Sequence, residues 1–357
     1  MTSTGLDSGD PQRTVMTVTG PVDADDLGVT LVHEHVFLDM RQSYTEHHLD
    51  ARYGPPEIHM LGEWRRDYSR FPDFMVLDDL DTAISEIRLF AEYGGNTIVD
   101  ATPIGARPPS RHLYPAGLRK VAEEVGINVI AGCGYYIQAS HPEYVRTAGS
   151  RALADRIVCE IEDGIEGTGI RPGVIGEIGL SQPVEEHEWK VLEAACEAQK
   201  RTGRALYIHP YFGARSRIAP EVAEFVLRKG VDPEKINMCH MDGYMNLDYQ
   251  RRVADLGVFI SFDNFGLENY YDTIDFSYNS HDSRRHEHLL KLLALGYRDQ
   301  MLISQDTCYK TQLTRYGGYG YAHILRNIVP ALRHAGIAEA TLERILVENP
   351  RRLLSPG

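Results

Sequence analysis

The chain has 357 residues, 43% hydrophobic and 25% charged, enough to bury a sizeable core in one large domain or two ordinary ones. Its 51 acidic residues outnumber 37 basic ones, for a formal charge of −14. That balance argues against a nucleic-acid partner or an anionic membrane, since no basic field would attract phosphates. The five cysteines (Cys133, Cys159, Cys196, Cys239 and Cys308) are scattered and odd in number, which fits a reducing cytoplasm better than a disulfide framework. No apolar run opens the chain, so no secretory signal is expected. No stretch of about 18 apolar residues occurs, so no membrane span is expected.

Residues 1–13 read as a loose polar tail, and 14–357 as a single domain. Residues 14–22 (TVMTVTGPV) alternate and end at Gly-Pro, which predicts a short hairpin strand outside the main body. Eight short apolar, β-branched runs follow, at 29–38, 96–102, 127–134, 172–179, 205–211, 236–243, 257–264 and 300–307. Segments such as EWKVLEAACEAQKRTG and HEHLLKLLALG lie between them, with apolar residues at i, i+3, i+4 and a glycine at the end. Strands alternating with helices, without a Pro- or Ser-rich linker, predict an α/β fold: a (β/α)8 TIM barrel. A doubly wound open sheet is the alternative, but no GxGxxG follows the first run. The loop at 39–80 is long and is expected to cover part of the barrel mouth.

Polar residues end several of these runs, where a barrel carries its chemistry. In VHEHVF, His33 and His35 are two apart, so a strand turns both to one side and Glu34 away, towards the layer between strand and helix. Such a pair can chelate a divalent ion, although a hydrogen-bonded pair is the commoner reading of HxH alone. Glu177 lies in VIGEIG, His209 in LYIHPY, His240 in NMCHMD and Asp306 in LISQDT. Singly, each has a plain structural reading as a satisfied core histidine or a helix cap. Jointly, six ionisable groups at five strand ends would converge, at several kcal/mol per ion unless something neutralises them. Two divalent metal ions would. The donor set has the hardness for Zn²⁺, with Mn²⁺ or Co²⁺ as alternatives, and does not suit Ca²⁺.

The order of these residues resembles the amidohydrolase superfamily and, within it, the phosphotriesterase-like family. TVTGPVDADDLGVTLVHEHVFLD is similar to that family's opening, and GVIGEIG, LYIHPY, LISQDTCYK and ENPRRLL to its later blocks. The best-known members carry a carbamylated lysine on strand 4. This chain has Glu177 there, which looks like the subgroup in which a glutamate bridges the metals. The resemblance implies that His33, His35 and Asp306 hold a more buried ion and His209 and His240 a more exposed one. It implies Glu177 and a hydroxide between the two, with Asp306 as the catalytic proton shuttle. It also implies a homodimer.

On the substrate side, lactonase and esterase members place a tyrosine after strand 3. GCGYYI offers Tyr135 and Tyr136, of which Tyr136 matches better by position; an aromatic that only packs is an equal reading. Tyr211 and Phe212 follow the strand-5 ligand. The stretch 263–282 has no Lys or Arg but carries Phe265, Tyr270, Tyr271, Phe276 and Tyr278 among acidic residues. Lys310 and Arg315 could cradle an anion, with surface solvation as their ordinary role, and Gly317, Gly318 and Gly320 mark either a lid or a plain turn. This rim favours neutral, partly apolar small molecules, so the expected activity is lactone or carboxylic-ester hydrolysis. Phosphotriesters and N-acyl amides are alternatives on the same site, and a non-catalytic small-molecule binder is a remoter one.

Overall fold

The structure, a computed structural model, describes residues 13–44, 57–110, 112–213, 215–271 and 277–356. Eight parallel strands lie side by side in chain order: β1 (Thr30–Glu34), β2 (Thr97–Asp100), β3 (Asn128–Cys133), β4 (Val174–Gly179), β5 (Ala205–His209), β6 (Ile236–Met238), β7 (Phe259–Phe262) and β8 (Met301–Ile303). Each is shorter than its apolar run. Helices follow the strands, among them α1 (Leu80–Glu92), α2 (Ala116–Val125), α3 (Ser150–Asp163), α4 (Glu186–Thr202), α5 (Ala219–Arg228), α6 (Leu247–Ala254) and α7 (Asp282–Ala294). The (β/α)8 barrel expected from the sequence is therefore the fold. No helix among the described residues is long and apolar enough to cross a membrane.

Period-two alternation splits the apolar residues into two layers. Val32, Val99, Ile130, Val174, Tyr207, Phe259 and Leu302 fill the barrel interior. Their strand neighbours Leu31, Ile98, Val129, Ile175 and Ile260 pack outward under the helices. The predicted N-terminal strand is a full hairpin, Thr14–Thr17 paired antiparallel with Gly20–Asp23. Its Val15 joins Leu353 and Leu354 in the inner layer and closes the barrel floor.

β1 and β8 close the ring mainly through side chains. The Ser304 hydroxyl and the Gln305 backbone N–H donate to Glu34 Oε1 at 2.8 and 2.9 Å, and the Thr307 N–H donates to Oε2 at 2.9 Å. The His33 N–H donates to Ser304 Oγ (3.0 Å), and the Asp306 N–H to the His33 carbonyl (3.1 Å). Glu34 thus turns away from the imidazole pair as expected, but into the seam of the barrel. Burial pushes its carboxyl up to about 7 against the pull of these donors.

In the stretch expected to cover the mouth, Trp64, Tyr68, Phe71 and Phe74 are buried. The Tyr68 ring lies on that of Tyr309 from the β8 loop, 3.6 Å between centroids.

Candidate metal centre

The six residues singled out in the sequence meet at the carboxyl ends of five strands. Glu177 sits centrally. Its Oε2 is 3.3 Å from His33 Nε2, 3.0 Å from His209 Nδ1 and 3.4 Å from His240 Nε2. Its Oε1 is 3.3 Å from His35 Nε2. Asp306 Oδ1 lies 3.2 Å from His35 Nε2 and 3.8 Å from His33 Nε2. His240 Nε2 and His209 Nδ1 are 2.7 Å apart.

Two of these atoms have nothing to bond. His33 Nε2 and Asp306 Oδ1 are buried without a hydrogen-bond partner among the described residues. A buried polar atom left so costs about 1–3 kcal/mol, so a partner is called for. A divalent cation suits the donors: His33, His35 and Asp306 each offer a ligand atom within 4.8 Å of the others, and so do His33, Glu177 and His240. The electrostatics agree. Burial alone would lower the His35 imidazole, yet Asp306 and Glu177 outweigh it and bring it up to about 9. Burial would raise Glu177, but His209 and His33 hold it well below the usual carboxylate range. Glu177 is thus held ionised beside the imidazoles.

The cluster is braced from behind. Asp263, buried at the end of β7, accepts from two imidazoles: its Oδ2 is 2.9 Å from His33 Nδ1, and its Oδ1 2.9 Å from His240 Nδ1 and from the His240 backbone N. His35 Nδ1 lies 2.8 Å from the Thr102 hydroxyl at the end of β2. Each ring is thereby turned with its other nitrogen towards Glu177. In the sequence Asp263 reads as one of the rim acids. The signal was present, since it ends the apolar run GVFISF as the six ligand-type residues end theirs.

The substrate-side residues are less gathered. Tyr136 is buried, its ring edge-on to His209 with 5.1 Å between centroids. Tyr211 is half-buried, and Phe212 lies 5.5 Å from the His240 ring. Lys310 points elsewhere: its Nζ is 3.0 Å from Asp73 Oδ2, tying the β8 loop to the long first loop. Arg315 docks on α1, donating to Thr82 Oγ1 at 2.6 Å. Gln312 pins the glycine-bearing stretch, accepting from the Cys308 and Tyr309 N–H groups and donating to the Asp306 carbonyl, while Gly320 N–H bonds back to the Gln312 carbonyl. Phe265, expected on the rim, is buried in the outer core; Tyr270 and Tyr278 are exposed there. The side chains of Tyr271 and Phe276 lie outside the described residues.

An eight-stranded barrel with imidazoles and carboxylates gathered at its strand ends is the scaffold of a metal-assisted hydrolase. The sequence matches the profile of the phosphotriesterase family over residues 13–354. It is 37% identical over 353 residues to an N-acetyltaurine hydrolase of Danio rerio, covering 96% of this chain and 97% of that one. A resiniferatoxin-binding protein from Rhodobacter sphaeroides superposes with a TM-score of 0.89 at 36% identity, over 96% of this chain and 95% of the other. A mutant of a phosphotriesterase-like lactonase from Deinococcus radiodurans gives 0.75 at 29% identity, over 96% and 100%. The chain belongs to the phosphotriesterase family, a family of binuclear metal enzymes, and is a hydrolase.

Proposed function

We propose that this chain is a binuclear metal-dependent hydrolase acting on N-acyl amides of small anionic amines, of the N-acetyltaurine type. The observation that carries the metal reading is the pair of orphaned buried atoms, His33 Nε2 and Asp306 Oδ1, inside a cluster of four imidazoles and two carboxylates. His33, His35 and Asp306 would hold the more buried ion, His209 and His240 the other, and Glu177 would bridge. Bound there, divalent cations activate water near neutral pH and polarise a scissile carbonyl. Asp306 takes the proton of the attacking water as the O–C bond forms. It returns that proton to the departing nitrogen as the C–N bond breaks, which an amide needs more than an ester does. Tyr136 and Phe212 form apolar walls beside His209 and His240.

The choice of amide over the lactone favoured by the rim rests on the N-acetyltaurine hydrolases, similar to this chain over nearly its whole length. Lactone hydrolysis is the second reading, favoured by the 29%-identical lactonase and by Tyr136 beside His209. Parallel measurement of kcat/KM for N-acetyltaurine, a set of γ- and δ-lactones and an aryl phosphotriester, on protein loaded with Zn²⁺ or Mn²⁺, separates them. The amide should lead by tenfold or more, equivalent to about 1.4 kcal/mol. A tenfold lead for any lactone would replace the amide reading with the second one.

A further inference from the structure

The substrate class proposed above carries an anion beyond its scissile bond, in a protein whose formal charge is −14. We propose, resting on that amide reading, that Arg217 is the specificity-determining residue that holds the sulfonate or carboxylate of the amine half. Arg217 lies in the loop after β5, the strand that ends in His209. Its guanidinium stacks over the ring of Tyr244, 3.8 Å from the centroid, in the loop that follows His240. Its backbone N–H donates to the side-chain oxygen of Gln182 (2.7 Å), in the loop after β4, the strand of Glu177. Arg217 therefore joins the three loops whose strands supply Glu177, His209 and His240.

Its placement is fixed in advance. The Gln182 amide also donates to the Arg215 carbonyl at 2.9 Å, so one side chain clamps the backbone on both sides of Ser216. Ser216 Oγ pairs with the Tyr249 hydroxyl at 3.1 Å, and Arg217 Nη1 donates to the Ser216 carbonyl at 2.6 Å. A guanidinium stacked on an aromatic ring keeps its outer N–H edge for a planar or tetrahedral oxyanion. Among the described residues Arg217 forms no ion pair, unlike Lys310 and Arg285. Lys310 is paired with Asp73. Arg285 is buried between Asp242 and Asp282. Arg315 is spent on Thr82. Arg65 also has no ion pair, but it lines a cleft shared with Glu268 between the first, seventh and eighth loops, away from the loops of His209 and His240. Arg217 is exposed, and stacked on Tyr244 without a counter-ion its guanidinium keeps hydrogen-bond donors for an oxyanion.

Binding of two non-hydrolysable probes to the metal-loaded enzyme tests this. One is the ketone isostere of N-acetyltaurine, with CH2 in place of NH; the other is its neutral counterpart, with a methoxy group in place of the sulfonate. By calorimetry, Arg217→Gln should weaken the sulfonate probe by about tenfold or more, the scale of a lost charge-assisted bond, and leave the neutral probe within about twofold. Arg217→Lys should recover part of the loss, and Arg65→Gln should change neither. With N-acetyltaurine, Arg217→Gln should raise KM more than it lowers kcat. Equal weakening of both probes, no weakening, or loss of selectivity in Arg65→Gln instead would overturn the assignment. The two readings fail separately. Selective sulfonate binding through Arg217 with no amide cleaved would remove the amide reading and leave the anion site. Amide cleavage equally fast with and without the sulfonate, unchanged in Arg217→Gln, would do the reverse.

Discussion

His33, Glu177 and His240 are out of step with their own strands. Val32, Val174 and Cys239 face the barrel interior, so strict alternation would turn each following ligand-type residue, or the third after Val174, outward. The register of β1 shifts between Leu31 and Glu34, and that of β4 between Ile175 and Ile178. His240 takes a left-handed backbone, φ 56°, and so does Asp306 at φ 47°. Left-handed non-glycine residues cost about 1–3 kcal/mol each, and persist only where the surroundings impose them. Here Asp263 grips both the backbone and the ring of His240, and Gln312 holds the Asp306 carbonyl. The sequence revealed which residue types gather, because polar side chains end apolar runs. It could not reveal the bulges that aim them, since β-bulges leave no mark in a binary pattern. Asp263→Asn should weaken metal affinity about 10–100-fold while the circular dichroism stays unchanged; titration against a chelating dye checks it, and unaltered affinity would show that the rings need no such brace. Asp306→Asn should cut turnover by about 10²-fold or more, with a larger loss for poorer leaving groups. Wild-type turnover on a poor leaving group, with metals retained, would remove Asp306 from proton transfer.

At the scale of elements, the seam between β1 and β8 depends on one carboxylate. Glu34 offers acceptors to three donors of the β8 end. In Glu34→Gln the amide NH2 must face one of those donors, so one buried bond is lost and the fold weakens by about 1–3 kcal/mol. The midpoint of denaturant unfolding at constant slope measures this; an unshifted midpoint would mean that the backbone alone closes the ring. Arg285 plays the matching part under the seventh loop, fully buried between Asp242 and Asp282. Removing the cation strands buried carboxylates, so Arg285→Met should destabilise by about 3–5 kcal/mol. A loss under 1 kcal/mol, as for an exposed pair, would contradict it. The strand runs were legible from hydrophobicity alone, but neither role was. Glu34 reads in the sequence only as a residue facing away, and nothing there singles out Arg285. Long-range pairing, across 271 residues for Glu34 and Gln305, leaves no local sequence signal.

At the scale of the molecule, the barrel gives rigid strand ends to the six ligand-type residues and leaves recognition to loops. The acidic surface and the tyrosines of the seventh loop favour uncharged substrates in the sequence, whereas Arg217, in the loop after β5, touches the loops after β4 and β6. Composition averages over the surface and cannot register one stacked guanidinium. The chemistry depends, however, on whether the cluster around Glu177 is a two-ion centre. Elemental analysis of metal-replete, active protein, set beside Glu177→Ala, asks this directly. It should find two divalent ions per chain, and at least one fewer in the variant. One ion or none in a fully active preparation would contradict it.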